Sequence, residues 1–359
     1  MEGNFKILMT ADTVGGVWTY VMNLCSSFLG RNFEFHLATM GRALSNHQCE
    51  QVESLPNITL YESEFKLEWM ENPGGDLAEA SEWLVSLYKA VKPDVIHFNN
   101  FGQVASYPWE CPVVTVFHSC VETWWLAVKG ERAPAESRFY HKIVQSALAS
   151  SDLLIAPSES ILVAASEVYN MPRAVKVIYN GIPPMKPSAE KHKIIASAGR
   201  IWDEAKNMHL LADVSHRLPW QVIIAGEGKL PEIQTLKVLG QVAHNKVAEL
   251  LAMASIFVTP AKYEPFGLAV LEAAASRCAL ALADIPTFRE IWGDAAVFFD
   301  PTDKQSAVSA IRLLTDDNEF RNEMASKAEL KSAEFSIERM SKDYWELYEN
   351  LHYNIIPTI

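Results

Sequence analysis

The chain has 359 residues, enough for two domains, and its 49% hydrophobic and 21% charged content excludes a disordered or collagen-like protein. Its 31 Lys and Arg against 44 Asp and Glu give a net charge of −13, which repels phosphate backbones, so we expect no nucleic-acid partner. The five cysteines form no C-x-x-C pair and have no metal-ligand spacing, which favours free, mostly buried thiols.

The amino terminus and the apolar runs bear on where the protein resides. Residues 1–10 include an acidic residue and only a short apolar run, unlike a signal peptide. Residues 250–261, one of the longest apolar stretches, are fewer than the roughly 18 residues that a membrane-spanning helix needs. We therefore expect a soluble, cytoplasmic protein.

Short runs rich in β-branched residues alternate with helical patterns along the chain, which is typical of parallel sheets with crossover helices. In the first half the predicted strands cover residues 5–9, 34–39, 58–62, 94–98, 113–118 and 153–157. In the second half they cover residues 194–198, 221–225, 236–240, 256–259, 280–283 and 296–300. The fold class that this pattern predicts is α/β, with two Rossmann-like, doubly wound domains in tandem.

Proline and lysine are concentrated in residues 180–193, which argues against a helix or central strand there. We therefore expect an amino-terminal domain over residues 1–182, a linker over 183–193 and a carboxy-terminal domain over 194–335. Apolar residues recur at helical spacing from residue 303 to about 352. The final helix, residues 336–352, is expected to pack back on the first domain, because its apolar face needs a partner.

Ligands of doubly wound sheets bind beyond the carboxyl ends of the strands, so polar residues that follow predicted strands are the site candidates. Gly15 and Gly16 follow the first strand, where backbone N–H groups at a helix start suit a phosphate or a sugar oxygen. The loop lacks the G-x-G-x-x-G spacing of nicotinamide and flavin sites, and a plain left-handed turn is the alternative. His118 ends the fifth strand, either as a site residue or as a structural hydrogen-bond donor.

Two cations follow the first strand of the second half. Arg200 lies at the strand end and Lys206 one or two helical turns later. A bidentate guanidinium fork and a mobile ammonium suit a diphosphate, whereas two solvated surface charges are the alternative.

Pro265 predicts the first turn of a helix with Glu264 as its cap. The N–H groups at the positive end of the helix dipole then belong to Phe266, Gly267 and Leu268. Glu272 is about 12 Å further along such a helix, among alanine and leucine, where a carboxylate needs a hydrogen-bond partner. This spacing suits a nucleotide sugar laid along the helix, with sugar hydroxyls at Glu264, diphosphate at the helix end and ribose at Glu272. A solvent-facing Glu272 is the alternative.

Taken together, these residues make the sequence resemble the retaining glycosyltransferases of the GT-B fold in family 4, which use nucleotide-sugar donors. The resemblance covers nearly the whole chain. Its motifs are the Gly15-Gly16 loop, His118, Gly181, Gly199-Arg200 with Lys206, the turn at 239–242, Glu264 and Glu272 with seven residues between them, and the tail at 335–348. One departure is Arg277 and Ala279, which stand where the family usually has Gly and Pro, so we expect altered packing behind the site.

The resemblance implies a role for each matching residue. Gly16 would offer its backbone to the diphosphate or sugar, and His118 would approach the hydroxymethyl group of the transferred sugar. Arg200 and Lys206 would hold the diphosphate and neutralise charge on the departing nucleotide. The remaining roles are sugar hydroxyls at Glu264, donor N–H groups at Gly267 and Leu268, ribose at Glu272 and the base near the Val242 backbone.

The reaction that the resemblance implies is front-face hexosyl transfer with retention, in a closed interdomain cleft. We expect no cofactor and no metal, because the sequence has no D-x-D triplet and the two cations would replace a divalent ion. The expected donor is a UDP-sugar, with UDP-glucose the first choice and GDP- and ADP-sugars open. The acceptor would be a saccharide or a lipid-linked molecule, the latter with weak peripheral association at the inner face of the membrane. The oligomeric state is not indicated by the sequence.

Two other functions fit the same features. A sugar-nucleotide epimerase of GT-B fold would interconvert a UDP-sugar without an acceptor, and a non-catalytic subunit would bind the nucleotide sugar without turnover. An aromatic and basic stretch at residues 124–141 follows His118 and suits either acceptor binding or ordinary helix packing.

Overall fold

The structure is a computed structural model that describes residues 4–188 and 190–352. Two compact units divide the described chain. Unit 1 contains the residues up to Leu126, Glu131–Gly181 and the residues from Ile337 on, and unit 2 contains Ala127–Gly130 and Ile182–Ser336. Residues 1–3, to which the signal-peptide prediction applies in part, and Ala189 of the predicted linker lie outside the described residues.

Unit 1 contains a parallel sheet whose strand order reverses at its centre. The strands are β1 (Phe5–Asp12), β2 (Phe33–Met40), β3 (Ile58–Glu62), β4 (Val95–Phe98), β5 (Val113–Val116), β6 (Leu153–Ala156) and β7 (Val175–Val177). They lie in the order β3-β2-β1-β4-β5-β6-β7. The chain builds outward from β1 in one direction and then in the other, so the reversal lies between β1 and β4.

Before β7, the helices of unit 1 lie between consecutive strands along the chain. They are α1 (Gly16–Ser27), α2 (Asn46–Glu53), α3 (Gly74–Val91), α4 (Val121–Lys129), α5 (Arg138–Ser150) and α6 (Glu159–Ser166). Ser45 starts α2 with a capping box, in which its hydroxyl accepts from the Gln48 N–H and the Gln48 side chain accepts from the Ser45 N–H.

Unit 2 repeats this architecture with its own parallel sheet. Its strands are β8 (His192–Ala198), β9 (Gln221–Ala225), β10 (Leu236–Gly240), β11 (Ala254–Thr259), β12 (Ala279–Ala283) and β13 (Val297–Phe299). Their order is β10-β9-β8-β11-β12-β13, which reverses between β8 and β11. The crossover helices are α7 (Met208–Ser215), α8 (His244–Met253), α9 (Leu268–Ala275) and α10 (Pro286–Trp292), whereas α11 (Lys304–Asp316) and α12 (Asn318–Ser332) follow the last strand, β13. The predicted pair of doubly wound parallel sheets is therefore confirmed.

The segment predicted as a linker is shorter than expected. Strand β8 begins at His192, which pairs with Ala254 of β11, so the last residues of the predicted 183–193 linker belong to the sheet. Just before the strand, the Lys191 ammonium donates to the carbonyls of Leu251, Ala254 and Ser276, at 3.0, 2.9 and 2.5 Å. Lys191 is thus bonded to three backbone carbonyls of unit 2.

The last helix, α13 (Ile337–His352), belongs to unit 1. Its apolar face, including Met340, Tyr344 and Tyr348, joins the core formed by β1, β2 and α1. The Tyr20 hydroxyl donates to Tyr344 at 2.6 Å, and the Tyr348 hydroxyl lies 2.7 Å from His97 Nδ1. Burial lowers the pKa of His97 to about 3, so this polar group stays uncharged within the core.

Neither range of described residues contains a helix that is both long and apolar enough to cross a membrane.

Candidate functional site

The candidate residues of unit 2 follow β8 and β11, the neighbouring strands at which its sheet reverses order. Arg200 lies two residues beyond β8, and its backbone is fixed against the end of β9. The Gly199 N–H donates to the Ala225 carbonyl at 3.0 Å, and a side chain on Gly226 would place its Cβ 1.8 Å from the Gly199 oxygen. Gly226 is therefore required for the position of Arg200, a role that the sequence prediction missed although the glycine directly follows a predicted strand.

Arg200 is held by one carboxylate and retains an unused donor. Its Nη2 donates to Asp203 at 2.7 Å. Burial would raise the pKa of Asp203, but the hydrogen bond and charge of Arg200 outweigh it and lower that pKa. Arg200 Nε is buried and meets no acceptor within the described part of the chain. A buried guanidinium N–H without an acceptor is suited to an anionic ligand.

Lys206 and Glu264 contact each other directly. The Lys206 ammonium donates to Glu264 Oε2 at 2.5 Å, with 17% of the lysine and 18% of the glutamate side chain exposed. The loop after β8 is thereby joined to the loop after β11, although the two residues are 58 positions apart. The two residues that the sequence analysis assigns to one ligand therefore lie side by side, but the ion pair between them was not predicted.

The turn that carries Lys206 is fixed by neighbouring backbone. Asp203 caps it by accepting from the Ala205 N–H at 3.0 Å, and the Ala205 carbonyl accepts from the Lys262 N–H at 2.8 Å. Asn207 follows in a left-handed conformation and donates to the carbonyl of Pro260 at 3.0 Å. Lys206 is thus placed beside the β11 loop by a rigid turn.

The helix start predicted at Pro265 is wrong. Helix α9 begins at Leu268, and its cap is Gly267 in the left-handed region, with φ 95° and ψ 59°, rather than Glu264. Pro265 and Phe266 precede the helix, so the estimate of about 12 Å along a helix axis from Glu264 to Glu272 does not hold. At the start of the helix the Val270 and Leu271 N–H groups donate to the Gly267 carbonyl, at 2.9 and 3.1 Å.

Glu272 is buried on α9 and has a hydrogen-bond partner, which rules out the solvent-facing alternative. Its side chain is 8% exposed, and Oε1 lies 2.8 Å from Nε2 of His244, the first residue of α8. The hydrogen bond that His244 donates to Glu272 raises the pKa of His244 against the opposing effect of burial. His244 is a partner of the candidate residue Glu272 that the sequence prediction missed. Its position just after Val242 and the β10 strand end was the available signal.

The other predicted residues, Gly15, Gly16 and His118, belong to unit 1. Gly15 is the cap of α1, with φ 87° and ψ −153°, a conformation that favours glycine but lies outside the left-handed helical region, and Gly16 is the first helical residue with open space around it. His118 lies two residues beyond the end of β5 rather than on the strand. Its Nε2 lies 2.8 Å from Asn99 Oδ1, and burial lowers the pKa of the imidazole to about 3.

The 124–141 stretch divides between exposed and packed residues. Phe139 is 55% exposed, whereas Tyr140 is buried and His141 pairs with Glu122 at 3.4 Å. Among the described residues no three His, Cys, Asp or Glu side chains are grouped as metal ligands.

In comparisons with known proteins, each half of the chain matches a glycosyltransferase family model. Residues 14–186 match the family described as Glycosyltransferase Family 4, and residues 182–331 match Glycosyl transferases group 1. Between them the two matches take in nearly all of the described chain. The chain belongs to glycosyltransferase family 4. Its predicted membership and GT-B fold are confirmed.

Relatives of this family 4 member extend the comparison. A glycogen synthase of Mycobacterium tuberculosis is 28% identical over 258 residues, and the match covers 63% of this chain but only 61% of the synthase. The alpha-maltose-1-phosphate synthase of Mycolicibacterium smegmatis is 24% identical over 70% of this chain and 76% of its own length. The structure of Anabaena Alr3699/HepE in complex with UDP-glucose has TM-score 0.78 at 17% identity, covering 97% and 100% of the two chains, which shows a shared fold.

Proposed function

We propose that this family 4 member is a retaining glycosyltransferase that moves a hexose from a UDP-sugar, with UDP-glucose as the first candidate, to a saccharide or lipid-linked acceptor. One observation carries the proposal: Arg200, Lys206 and Glu264 converge where the unit 2 sheet reverses order, with the Lys206–Glu264 contact at 2.5 Å. Ligands of doubly wound sheets bind at such a reversal.

The residues present suit a nucleoside diphosphate. Arg200 Nε is a buried donor without an acceptor among the described residues, and Lys206 can exchange its carboxylate partner for a phosphate oxygen. Released from Lys206, Glu264 would accept hydrogen bonds from sugar hydroxyls. Two cations beside the diphosphate stabilise the charge that develops on the leaving nucleotide, which is the main electrostatic requirement of the transfer. On this proposal neither a metal nor a cofactor is needed.

The donor and acceptor classes are supported by the relatives. Alr3699/HepE has been solved with UDP-glucose, which favours a UDP-sugar here. The two synthases are named for glycogen and alpha-maltose-1-phosphate, which favours a saccharide acceptor. Retention by front-face substitution rests on the family resemblance.

The test is the Lys206→Ala variant, assayed for release of UDP from UDP-glucose with and without saccharide acceptors. We expect kcat/KM to fall at least about a hundredfold, because a preorganised charge on the leaving group contributes several kcal/mol to the transition state. Lys246→Ala is the matched control, since Lys246 is an exposed lysine of unit 2 paired with Glu249. Circular dichroism checks that both variants fold.

Near-normal turnover in Lys206→Ala would remove the proposed site. Interconversion of the UDP-sugar without an acceptor would identify an epimerase, and UDP binding without turnover would identify a binding subunit.

A further inference from the structure

A buried polar network lies where β1, β4 and β5 of unit 1 end. Thr10, Asn99 and Asn100 are 0%, 6% and 5% exposed. Strands β1 and β4 are neighbours, as are β4 and β5, so residues after their carboxyl ends meet at one edge of the sheet. His118, which follows β5, joins the network through Asn99. Nothing in the predicted function uses Asn99.

The orientation of the Asn99 amide is fixed by its other contacts. Its Nδ2 donates to the Thr10 carbonyl at 2.8 Å, and a carbonyl oxygen can only accept. The Asn99 backbone N–H donates to the Thr10 hydroxyl at 3.0 Å, and that hydroxyl donates to Asn100 Oδ1 at 2.5 Å. Because the amide nitrogen of Asn99 is bound to the Thr10 carbonyl, the amide oxygen is the atom that faces His118.

The orientation of Asn99 decides that Nε2 of His118 carries a proton. Since Asn99 presents an oxygen 2.8 Å from His118 Nε2, that nitrogen carries the proton and donates it. Because burial lowers the pKa of His118 to about 3, the imidazole is neutral and Nδ1 is its unprotonated acceptor. The titratable groups that face His118 are Tyr20 of α1, whose ring centre is 4.8 Å away, and His97 of β4. Burial keeps both uncharged, so neither favours an imidazolium at His118.

We propose that Asn99 is a positioning residue that holds His118 as the Nε2–H tautomer, so that Nδ1 accepts a hydrogen bond from a hydroxyl group of the transferred sugar. The hydroxyl partner rests on the proposed function, whereas the tautomer does not. A neutral imidazole in this state cannot donate from Nδ1 and supplies no charge. His118 therefore recognises an O–H donor rather than a phosphate.

The tautomer is tested first in the full-length wild-type protein, by ¹⁵N NMR of histidine-labelled protein with His118→Gln to assign the signal. We expect the His118 spectrum of a neutral, Nε2-protonated ring, unchanged between about pH 5 and pH 8. A protonated Nδ1, or titration of His118 within that range, would overturn the proposal.

The role in transfer is tested with Asn99→Asp and the matched variant Asn100→Asp. Both put a carboxylate into the same buried network, but only the residue at 99 faces His118. We expect Asn99→Asp to raise the pKa of His118 into the measured range, because a carboxylate stabilises the imidazolium. The charged ring carries a proton on Nδ1 and cannot accept. The kcat/KM of the Asn99→Asp variant for the donor should then be reduced about tenfold at low pH and recover as the pH rises.

Asn100→Asp should leave His118 neutral and produce no such pH profile, even where it lowers stability. A loss of kcat/KM in Asn99→Asp that does not depend on pH, or a pH-dependent loss that Asn100→Asp shares, would show that Asn99 has only a structural role. Either result would overturn the proposal. If the wild-type protein transfers a hexose from no UDP-, GDP- or ADP-sugar, the proposed function fails. The proposed hydrogen bond from a sugar hydroxyl to His118 then fails as well. The NMR result would still decide the tautomer.

Discussion

Each charged residue of the unit 2 site is paired with another side chain of the same unit. Arg200 pairs with Asp203, Lys206 with Glu264, and Glu272 with His244. The sequence could predict the charges, because each lies near a strand end or in an apolar helix. It could not predict two of the pairs, because 58 and 28 residues separate their members and only the folded sheet brings them together.

The His244–Glu272 contact predicts a dependence of stability on pH. The pKa of His244 is raised from 6.5 in the folded protein because Glu272 favours the imidazolium. The stabilising contribution is therefore complete below pH 6.5 and is lost as the pH rises through the raised pKa. In thermal unfolding scans, the wild-type Tm should fall relative to that of His244→Gln as the pH rises above 6.5.

His216→Gln is the control for this measurement, because His216 is an exposed histidine that follows α7 in the same unit. Parallel profiles of Tm against pH for the wild type and His244→Gln would show that the His244–Glu272 contact does not stabilise the folded protein in solution. Nucleotide affinity measured in the same variants would report whether the orientation of Glu272 depends on His244.

At the scale of elements, the sequence indicated the strands well and the start of α9 poorly. The strand prediction succeeded because buried parallel strands are short apolar runs, and the unpredicted β7 is a three-residue, half-buried edge strand. Proline is common at the first position of a helix, which is why the sequence predicts a helix start at Pro265. In the structure Gly267 is the left-handed cap, and the helix starts three residues after Pro265, at Leu268. Nothing in the local sequence distinguishes a loop proline from a helical one here.

Gly267 provides a test of this helix start. A Cβ at this position would lie 3.0 Å from the Phe288 ring and 3.3 Å from Val270, in a backbone conformation with φ 95°. We expect Gly267→Ala to destabilise the protein by about 2–3 kcal/mol, since steric crowding adds to the strain of a left-handed alanine. Chemical denaturation measures the change.

Gly30→Ala is the matched control for Gly267→Ala. Its φ is 76°, and its Cβ would meet nothing within 4 Å, so only the backbone strain of about 1 kcal/mol remains. Equal losses for the two variants would mean that the packing around Gly267 adds nothing. A larger loss of donor turnover in Gly267→Ala is also expected, because its Cβ would contact the Glu264 side chain.

Arg277 shows how a departure from the family pattern is accommodated. It replaces the usual glycine and adopts a left-handed conformation with φ 62°. Its N–H donates to the Ala274 carbonyl at 2.9 Å, and its guanidinium pairs with Glu329 of α12 at 3.0 Å. The altered packing that the sequence predicts behind the site stays a prediction, and the ion pair to α12 is the contact that the Arg277 side chain makes there.

Over the whole molecule, the six strands of the unit 2 sheet have the same order as the first six strands of the unit 1 sheet. In both sheets the candidate residues follow the strands at or next to the reversal. In unit 1 these are Gly15 and Gly16 after β1, Asn99 after β4 and His118 after β5. In unit 2 they are Arg200 and Lys206 after β8 and Glu264 after β11. The rule that ligands bind at this edge follows from topology, so the sequence could predict the location of the candidates. It could not predict their partners, which depend on side-chain packing.

The central claim is that the diphosphate of a nucleotide sugar binds at the reversal of the unit 2 sheet. The most direct test is a crystal structure of the protein with UDP. The account predicts phosphate oxygens within hydrogen-bond distance of Arg200 Nε and the Lys206 ammonium, and ribose hydroxyls on Glu272. UDP bound at another place, with Lys206 still paired to Glu264, would contradict it.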